Sequence, residues 1–261
     1  MTGLRDYLRV VGALGRRSIK QSFRRPQFLA PILLFPTLFL ILNTGGAGSA
    51  EQIPGFPEVN GILDFEMPGT LIQCTLLAGV SAGIAVALDV EIGFLDRLVT
   101  APVQRSAIII GRLMASAVLG LLAGVYFMVL GLLAGMQVEG GVLGYLVVAF
   151  MVPMAAVAFG LIGAALALKS GKASVVQGIF PIVFVILFLS SAFFPRNLLT
   201  EPAATIADYN PMSYMAEAIR DGVISDVSLE PLLKGVAGLA VVIALGAVLC
   251  AAALRARLRA G

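Results

Sequence analysis

The sequence DVEIGFLDRLVTAPVQRS, at residues 89–106, is the most charged interruption of an otherwise very apolar chain, and it separates the second and third long hydrophobic runs. Apolar residues recur within it at helical spacing: Ile92, Leu95, Leu98 and Val99. This spacing predicts a short amphipathic helix, which Pro102 would end because proline cannot continue the backbone hydrogen-bond ladder. The alternative is an ordinary polar loop.

The composition around this stretch is that of a membrane protein. Of 261 residues, 59% are hydrophobic and only 13% are charged, which is too few for the surface of a soluble domain of this length. Cys74 and Cys250 both fall inside hydrophobic runs, which argues against a disulfide framework or a metal cluster. The sequence contains no histidine, so most histidine-based catalysis and the commonest metal ligand are excluded.

Six apolar runs predict transmembrane helices, because a span needs about 20 predominantly apolar residues. They cover residues 28–42, 69–88, 107–135, 142–168, 175–194 and 232–254. The expected fold is therefore a single all-α polytopic domain over residues 1–261. Spans 1–2 lie within residues 28–88 and spans 3–5 within residues 107–194, and the last span and a basic tail lie within residues 232–261.

Residues 1–27 are basic and amphipathic, which is typical of a helix that lies in the interface of an anionic leaflet. Nucleic-acid binding is disfavoured because the chain enters the membrane immediately afterwards. Fifteen of the 18 Lys and Arg residues fall in segments that six spans place on one side of the membrane. The positive-inside rule therefore predicts that both termini are cytoplasmic.

The predicted spans contain many small residues and few charges. GxxxG spacings such as Gly79/Gly83 favour close helix packing over any gating role. Acidic residues are expected only in loops, whereas ion-coupled carriers usually place an ionisable group near the midplane. Phe180, Phe184 and Phe188 form an aromatic stripe on the fifth run, for which packing or lipid contact is the simpler interpretation and a hydrophobic substrate surface the alternative.

Residues 195–231 form the longest predicted external loop. Ile206, Met212, Met215 and Ile219 give it helical, half-buried periodicity, and a loop of this length is rarely a mere connector. We therefore expect a helical segment that folds back onto the outer membrane face. The residue before a proline is disfavoured in the helical region, so Pro211 predicts a turn between two helical pieces.

Two motifs within this layout are distinctive. The first is VEIGFLDRLVTAPVQRSAIIIGR, at residues 90–112. The second lies within residues 191–223 and consists of SAFFPRNLL followed, after a short gap, by IADYNPMSYMAEAIRDGV. Both resemble motifs of the type-2 ABC-exporter permeases, in particular the daunorubicin-resistance-like drug-efflux permeases. Many members carry a second acid before the glycine of the first motif, where this chain has Ile92. With the six-run layout, the resemblance covers essentially the whole chain.

The resemblance implies three groups of site residues. A coupling helix at residues 89–106 would dock in a groove of an ATPase through Glu91, Phe94, Leu95, Asp96, Arg97, Leu98, Pro102 and Arg105. The second and fifth spans would face each other across a dimer axis and line the substrate pathway with Gln73, Thr75, Leu77, Ser81, Phe184, Phe188 and Ser191. The external loop would act as a lid, through Asn210, Pro211, Tyr214, Glu217 and Arg220.

The resemblance also implies a role and partners. Such a permease is the transmembrane half of an exporter, in which two permeases and two cytoplasmic ATPases move a hydrophobic or amphipathic compound, such as a drug-like molecule or a lipid, out of the cytoplasm or the inner leaflet. The location would be the bacterial cytoplasmic membrane. The chain has no GxxxxGK[ST] phosphate cradle, and the nearest approach, Gly171-Lys172, is followed by Ala173. We therefore expect no enzyme activity and no cofactor in this chain, with ATP and magnesium bound by the partner.

Three alternatives have their own expected signatures. A polysaccharide or teichoic-acid exporter shares the layout, but sugar-stacking aromatic residues are few, with only Tyr126 and Tyr145 along the spans and no tryptophan. A secondary carrier would need ionisable groups or broken helices at mid-membrane. An intramembrane enzyme would need a nucleophile and base or a metal site, and it is the weakest of the three.

Overall fold

A computed structural model of the chain describes residues 3–46, 52–100 and 103–260. Within these residues the chain forms eleven α-helices and one 3-10 turn, Arg196–Leu198. The helices are α1 (Leu4–Phe23), α2 (Pro26–Gly46), α3 (Ile62–Glu91), α4 (Phe94–Thr100), α5 (Arg105–Leu133), α6 (Gly141–Ser170), α7 (Ala173–Gly178), α8 (Phe180–Phe188), α9 (Ala203–Tyr209), α10 (Pro211–Ile224) and α11 (Leu229–Ala260).

Helix α3 is the central helix of the bundle and packs against α2, α5, α6, α7 and α10. It crosses α6 at very short range, since a Cβ atom on Gly83 would lie 2.8 Å from the backbone of Gly163, and one on Gly79 would lie 2.5 Å from Cβ of Phe159. Only glycine permits this approach, so the packing interpretation of the Gly79/Gly83 spacing is confirmed.

Among the described residues, five helices are long and apolar enough to cross a membrane: Phe28–Gly46, Ile62–Glu91, Arg105–Leu133, Gly141–Ser170 and Leu229–Arg257. A shorter apolar stretch, Ala173–Phe188, accounts for the remaining hydrophobic run. The predicted class, an all-helical polytopic membrane protein, is confirmed.

The fifth run departs from the expected span. Ile179 separates α7 from α8, and α8 ends at Phe188 instead of continuing to residue 194. At a rise of about 1.5 Å per residue, the 16 residues of Ala173–Phe188 extend about 24 Å, which is less than the roughly 30 Å of a typical hydrocarbon core. Apart from Ser190 and Ser191, residues 189–194 are apolar, but they form turns and bends.

Helix α3 is longer than predicted at both ends. It begins at Ile62 instead of residue 69, so Asp64 and Glu66 are helical, and both are buried. At its other end it includes Asp89, of which only 1% is exposed. The expectation that acidic residues are confined to loops is therefore wrong.

The predicted amphipathic helix at the N-terminus is present as α1. Its buried face packs against the beginning of α5, where a Cβ atom on Gly15 would meet the side chain of Met114 and one on Gly111 would meet Cβ of Leu14. Ser18 is also buried in this contact, while most of the basic residues of α1 remain exposed. Helix α1 is therefore attached to the bundle through the beginning of α5.

Candidate functional sites at the two ends of helix α3

The charged stretch that separates α3 from α5 forms a sharp turn and one short helix. Helix α3 ends at Glu91, and Gly93 takes a φ of +67°, a conformation that glycine adopts without strain. Helix α4 then covers seven residues, Phe94–Thr100. The sequence predicted one amphipathic helix from residue 89, and this is wrong in its bounds, because Asp89 belongs to α3 and Arg105 begins α5.

A buried ionic cluster joins four helices at this end of the bundle. Asp89 of α3 forms an ion pair with Arg112 of α5, and a second cation, Arg17 of α1, lies 3.9 Å from the same carboxylate. The guanidinium of Arg17 lies 3.5 Å from the ring centroid of Phe94 in α4, and that of Arg112 lies 5.4 Å from it. Cation–π contacts of this kind are attractive. The position of α4 is therefore tied to α1, α3 and α5.

The predicted coupling residues divide into a buried group and an exposed group. Leu95 is 1% exposed and belongs to a core cluster of the chain itself, so it is not available to a partner as predicted. Leu98 is half-buried against the same cluster, and Phe94 is half-buried between cations. The exposed members are Glu91, Arg97 and Arg105, and the neighbouring Ile92, which was not among the predicted residues, is exposed as well. Pro102 and the side chain of Asp96 lie outside the described residues.

Glu91 connects this turn to the fifth apolar segment. Its Oε1 accepts a hydrogen bond of 2.8 Å from the backbone N–H of Ala173, the first residue of α7. A carboxylate at a helix N-terminus is also favoured by the helix dipole. A movement of the α3–α4 turn therefore has a direct mechanical route to α7 and α8.

The predicted pathway residues of α3 lie inside the chain. Gln73 and Thr75 are fully buried, and Leu77 and Ser81 are 2% and 8% exposed. The hydroxyl of Thr75 donates to the carbonyl of Ile72, whereas the carboxamide of Gln73 has no hydrogen-bond partner among the described residues. These side chains do not line an open surface of the single chain.

Of the predicted pathway residues of the fifth run, Phe184 and Phe188 lie at a more open surface, whereas Ser191 is fully buried. Phe184 makes an edge contact with Phe35 of α2 at 5.2 Å between ring centroids, and Phe188 makes one with Phe39 at 5.4 Å. Phe188 is nevertheless 37% exposed. The aromatic stripe therefore packs against α2 and also presents aromatic surface.

At the opposite end of α3, Asn210 forms the hinge between α9 and α10. Its Oδ1 accepts a hydrogen bond of 3.0 Å from the backbone N–H of Met212 and so caps α10, and Pro211 occupies the first helical position. Its Nδ2 donates to the carbonyl oxygen of Ile186 at 2.8 Å. One side chain thus holds the predicted turn and attaches α10 to the end of α8.

Glu217 is the centre of a polar network on α10. It accepts hydrogen bonds from Nε and Nη2 of Arg196 at 2.9 and 3.2 Å and from Oγ of Ser191 at 2.6 Å. Arg196 also pairs with Asp208 at 2.7 Å, and the hydroxyl of Tyr214 donates to the carbonyl oxygen of Asp208. Ser191, predicted for the pathway, is therefore in direct contact with the predicted lid.

Arg220 attaches α10 to the beginning of α3. Its Nη2 donates to the carbonyl oxygen of Ala192 at 2.6 Å, and its guanidinium lies 4.1 Å from the ring centroid of Phe65. Burial lowers the pKa of Arg220 to about 10, although Glu217 and Glu66 favour the charged form, so the side chain stays protonated at neutral pH. Helix α10 is therefore firmly packed against the bundle, as the predicted burial of this segment requires.

Sequence reasoning did not identify the pair of Asp89 with Arg112, and it also missed Glu66, which accepts a hydrogen bond from Asn43. The signal that could have revealed these acidic residues is their position next to an apolar run. Asp89 follows an apolar run directly, and Asp64 and Glu66 precede one by a few residues, so each could have been assigned to a longer helix.

Comparison with known proteins supports the resemblance seen in the motifs. A family model described as ABC-2 type transporter matches residues 9–224. The chain belongs to the ABC-2 type transporter family. It is 31% identical to the daunorubicin resistance ABC transporter permease protein DrrB1 of Streptomyces coeruleorubidus, over 75% of this chain and 68% of the relative. It is also 26% identical to the putative transport permease ycf38 of Porphyra purpurea, over 82% of this chain and 74% of the relative.

Membership of the ABC-2 family indicates the class of function to which this structure belongs. The chain is the membrane permease of an ABC transporter, and its apolar helices make it a multi-pass membrane protein. In this permease, the end of α3 next to α4 carries the exposed charged turn. The end of α3 next to α10 carries the capped, hydrogen-bonded helix. The contacts at Phe65 and at Asp89 are 24 residues apart on α3, or about 36 Å at 1.5 Å per residue.

Proposed function

We propose that this ABC-2 permease is the transmembrane subunit of an exporter that moves a hydrophobic or amphipathic compound out of the cytoplasm or the inner leaflet. A separate ATP-binding-cassette ATPase would power it, with two permeases and two ATPases in the complex and with ATP and magnesium bound by the ATPase. The observation that carries the proposal is the 31% identity to a daunorubicin resistance permease over most of the chain.

The α4 end supplies the coupling contact in this proposal. Exposed Glu91, Ile92 and Arg97 would contact the ATPase, while Leu95 holds α4 on the bundle. A displacement of α4 would move Phe94 against Arg17 of α1 and Arg112 of α5. Through Glu91 it would also move α7, so both the N-terminal helix and the fifth apolar segment would respond to one push.

The pathway would run along the aromatic surface of α8 and end at Ser191. A hydrophobic substrate needs shape-filling aromatic contacts with a few polar groups for orientation. Phe188 offers aromatic surface in the single chain, whereas Ser191 is buried with its hydroxyl bonded to Glu217 and would have to become exposed during transport. The pull on α7 through Glu91 would shift α8, and the hydrogen bond from Asn210 to Ile186 would pass this shift to α10. The same contacts thus connect coupling to the exit end.

The proposal places the α4 end at the cytoplasmic face of a bacterial membrane and the α10 end at its outer face. The support is the distribution of basic residues, since α1 and the tail of α11 are rich in arginine and belong to the α4 end.

ATP-dependent transport into inside-out vesicles tests the proposal. The permease is co-expressed with its ATPase, and uptake of daunorubicin and of a fluorescent phospholipid is followed with ATP, without ATP, and with an ATPase whose catalytic glutamate is replaced by glutamine. We expect uptake of at least one compound only with ATP and an active ATPase. Uptake driven by a proton gradient alone would identify a secondary carrier and overturn the proposal.

A further inference from the structure

A cavity of about 450 Å³ opens between α5, α6 and α11. None of the predicted pathway residues lines it. Its floor is apolar and includes Leu161, Cys250 and Leu254, which are 8%, 2% and 7% exposed. Its volume falls within the range of roughly 300–1,000 Å³ that is typical of sites for small organic ligands.

The cavity has a polar end and an apolar end. Arg105 on α5 and Arg255 on α11 both line it, and both are exposed. On α11 the lining continues from Arg255 back to Ala247, and on α5 from Arg105 to Leu113. Each stretch covers nine residues, whose ends are about 12 Å apart along the helix. The two arginines therefore lie together at one end of an apolar trough.

We propose that this trough binds an anionic phospholipid, with the phosphate held between Arg105 and Arg255 and an acyl chain lying along the apolar floor. A guanidinium presents a planar fork of donors that fits phosphate oxygens. Arg105 is also the first residue of the 29-residue helix α5, whose N-terminal N–H groups favour an anion at the same end.

The charge of the lining selects the class of lipid. The described residues that line the trough include two arginines and no carboxylate, so nothing there balances a positive headgroup. A zwitterionic choline lipid would bring its ammonium group close to two cations, whereas phosphatidylglycerol brings only negative charge. Basic pockets between transmembrane helices bind anionic headgroups by this logic. The contact assigns Arg105 to the lipid instead of to the ATPase groove for which the sequence predicted it.

Native mass spectrometry of the full-length chain in detergent tests the site by titration with phosphatidylglycerol and with phosphatidylcholine of the same acyl composition. We expect the unmodified chain to bind phosphatidylglycerol at least tenfold more tightly than phosphatidylcholine. The double variant R105Q/R255Q should lose affinity for phosphatidylglycerol by roughly 30-fold, since one basic residue beside an anionic lipid contributes about fivefold. The control R5Q/R9Q removes the same charge from the exposed face of α1 and should retain the affinity of the unmodified chain.

A cavity-filling variant tests the apolar part independently of charge. A251F places a ring in the trough from an exposed alanine that lines it, so we expect it to leave the fold intact and to reduce phosphatidylglycerol binding as strongly as the arginine variant. Equal losses in R5Q/R9Q and R105Q/R255Q, or equal affinities for both lipids, would overturn the proposal. A disulfide between two copies that carry A251C would also overturn it, because a second chain would then fill the trough.

Discussion

Replacement of Arg112 by glutamine should destabilise the chain more than any exposed arginine replacement. The change would leave the carboxylate of Asp89, which is 1% exposed, with Arg17 at 3.9 Å as its remaining cation. Removal of one partner of a buried ion pair costs about 3–5 kcal/mol, because the other charge stays buried without compensation. For a chain of this size, that corresponds to a fall in Tm of roughly 10 °C.

The double variant D89N/R112Q separates this cause from a simple loss of packing. With both charges removed no carboxylate is left unpaired, so the double variant should be more stable than R112Q alone. Replacement of Asp89 alone should also be costly, since it leaves the guanidinium groups of Arg112 and Arg17 without the carboxylate that they share. The coupling between the two sites should lie within the range of about 0.5–3 kcal/mol found for contacting residues.

Thermal unfolding in one detergent, followed by circular dichroism, measures all of these differences. R9Q is the matched control, because the side chain of Arg9 is 81% exposed and its ion pair with Asp6 is long, at 3.9 Å. Exposed pairs of this kind contribute about 0–1 kcal/mol. If R112Q melted within 2 °C of R9Q, or if D89N/R112Q were as unstable as the sum of its single changes, the buried pair would not be a structural link.

Three further predictions address sidedness, the aromatic surface and the α10 hinge. In a cysteine-free background, an impermeant thiol reagent applied to intact cells should label a cysteine at Ser225 but not one at Ser170, and the reverse pattern would invert the orientation. F184A should change the relative transport of hydrophobic substrates at wild-type expression; if it lowered expression alone, the ring would serve only packing. N210A should lower Tm more than P211A, because it removes a cap worth about 1 kcal/mol together with the bond to α8, and equal effects would refute this role of the side chain.

Hydropathy alone located most of the membrane helices, because an uninterrupted apolar run of about 20 residues has few other stable arrangements. It misplaced the ends of α3, since Asp64, Glu66 and Asp89 lower the hydropathy of residues that are nonetheless helical and buried. For the fifth run, hydropathy made the opposite error and predicted a helix that is too long. Residues 189–194 are apolar apart from two serines, yet they form turns and bends, and apolarity does not encode where a helix ends.

The candidate sites were predicted less completely than the fold. The sequence indicated an amphipathic pattern around Leu95, but periodicity does not tell whether an apolar face meets a partner or the chain's own core. In the structure Leu95 faces the core. The network around Glu217 and the pair of Asp89 with Arg112 join residues far apart in the chain, and such contacts become visible only when the helices are packed. The turn at Asn210 was predictable because its cause is local.

Photo-cross-linking to the ATPase tests the central claim, that the α4 turn receives the movement of the motor subunit. Benzoylphenylalanine is introduced at Ile92, which is 61% exposed beside α4, and separately at Tyr209, which is 84% exposed at the α10 end. Both positions accept a bulky aromatic side chain without disturbing the core. We predict a permease–ATPase cross-link from position 92 and none from position 209. A cross-link from position 209, or none from position 92 in a complex that hydrolyses ATP, would contradict the proposed coupling.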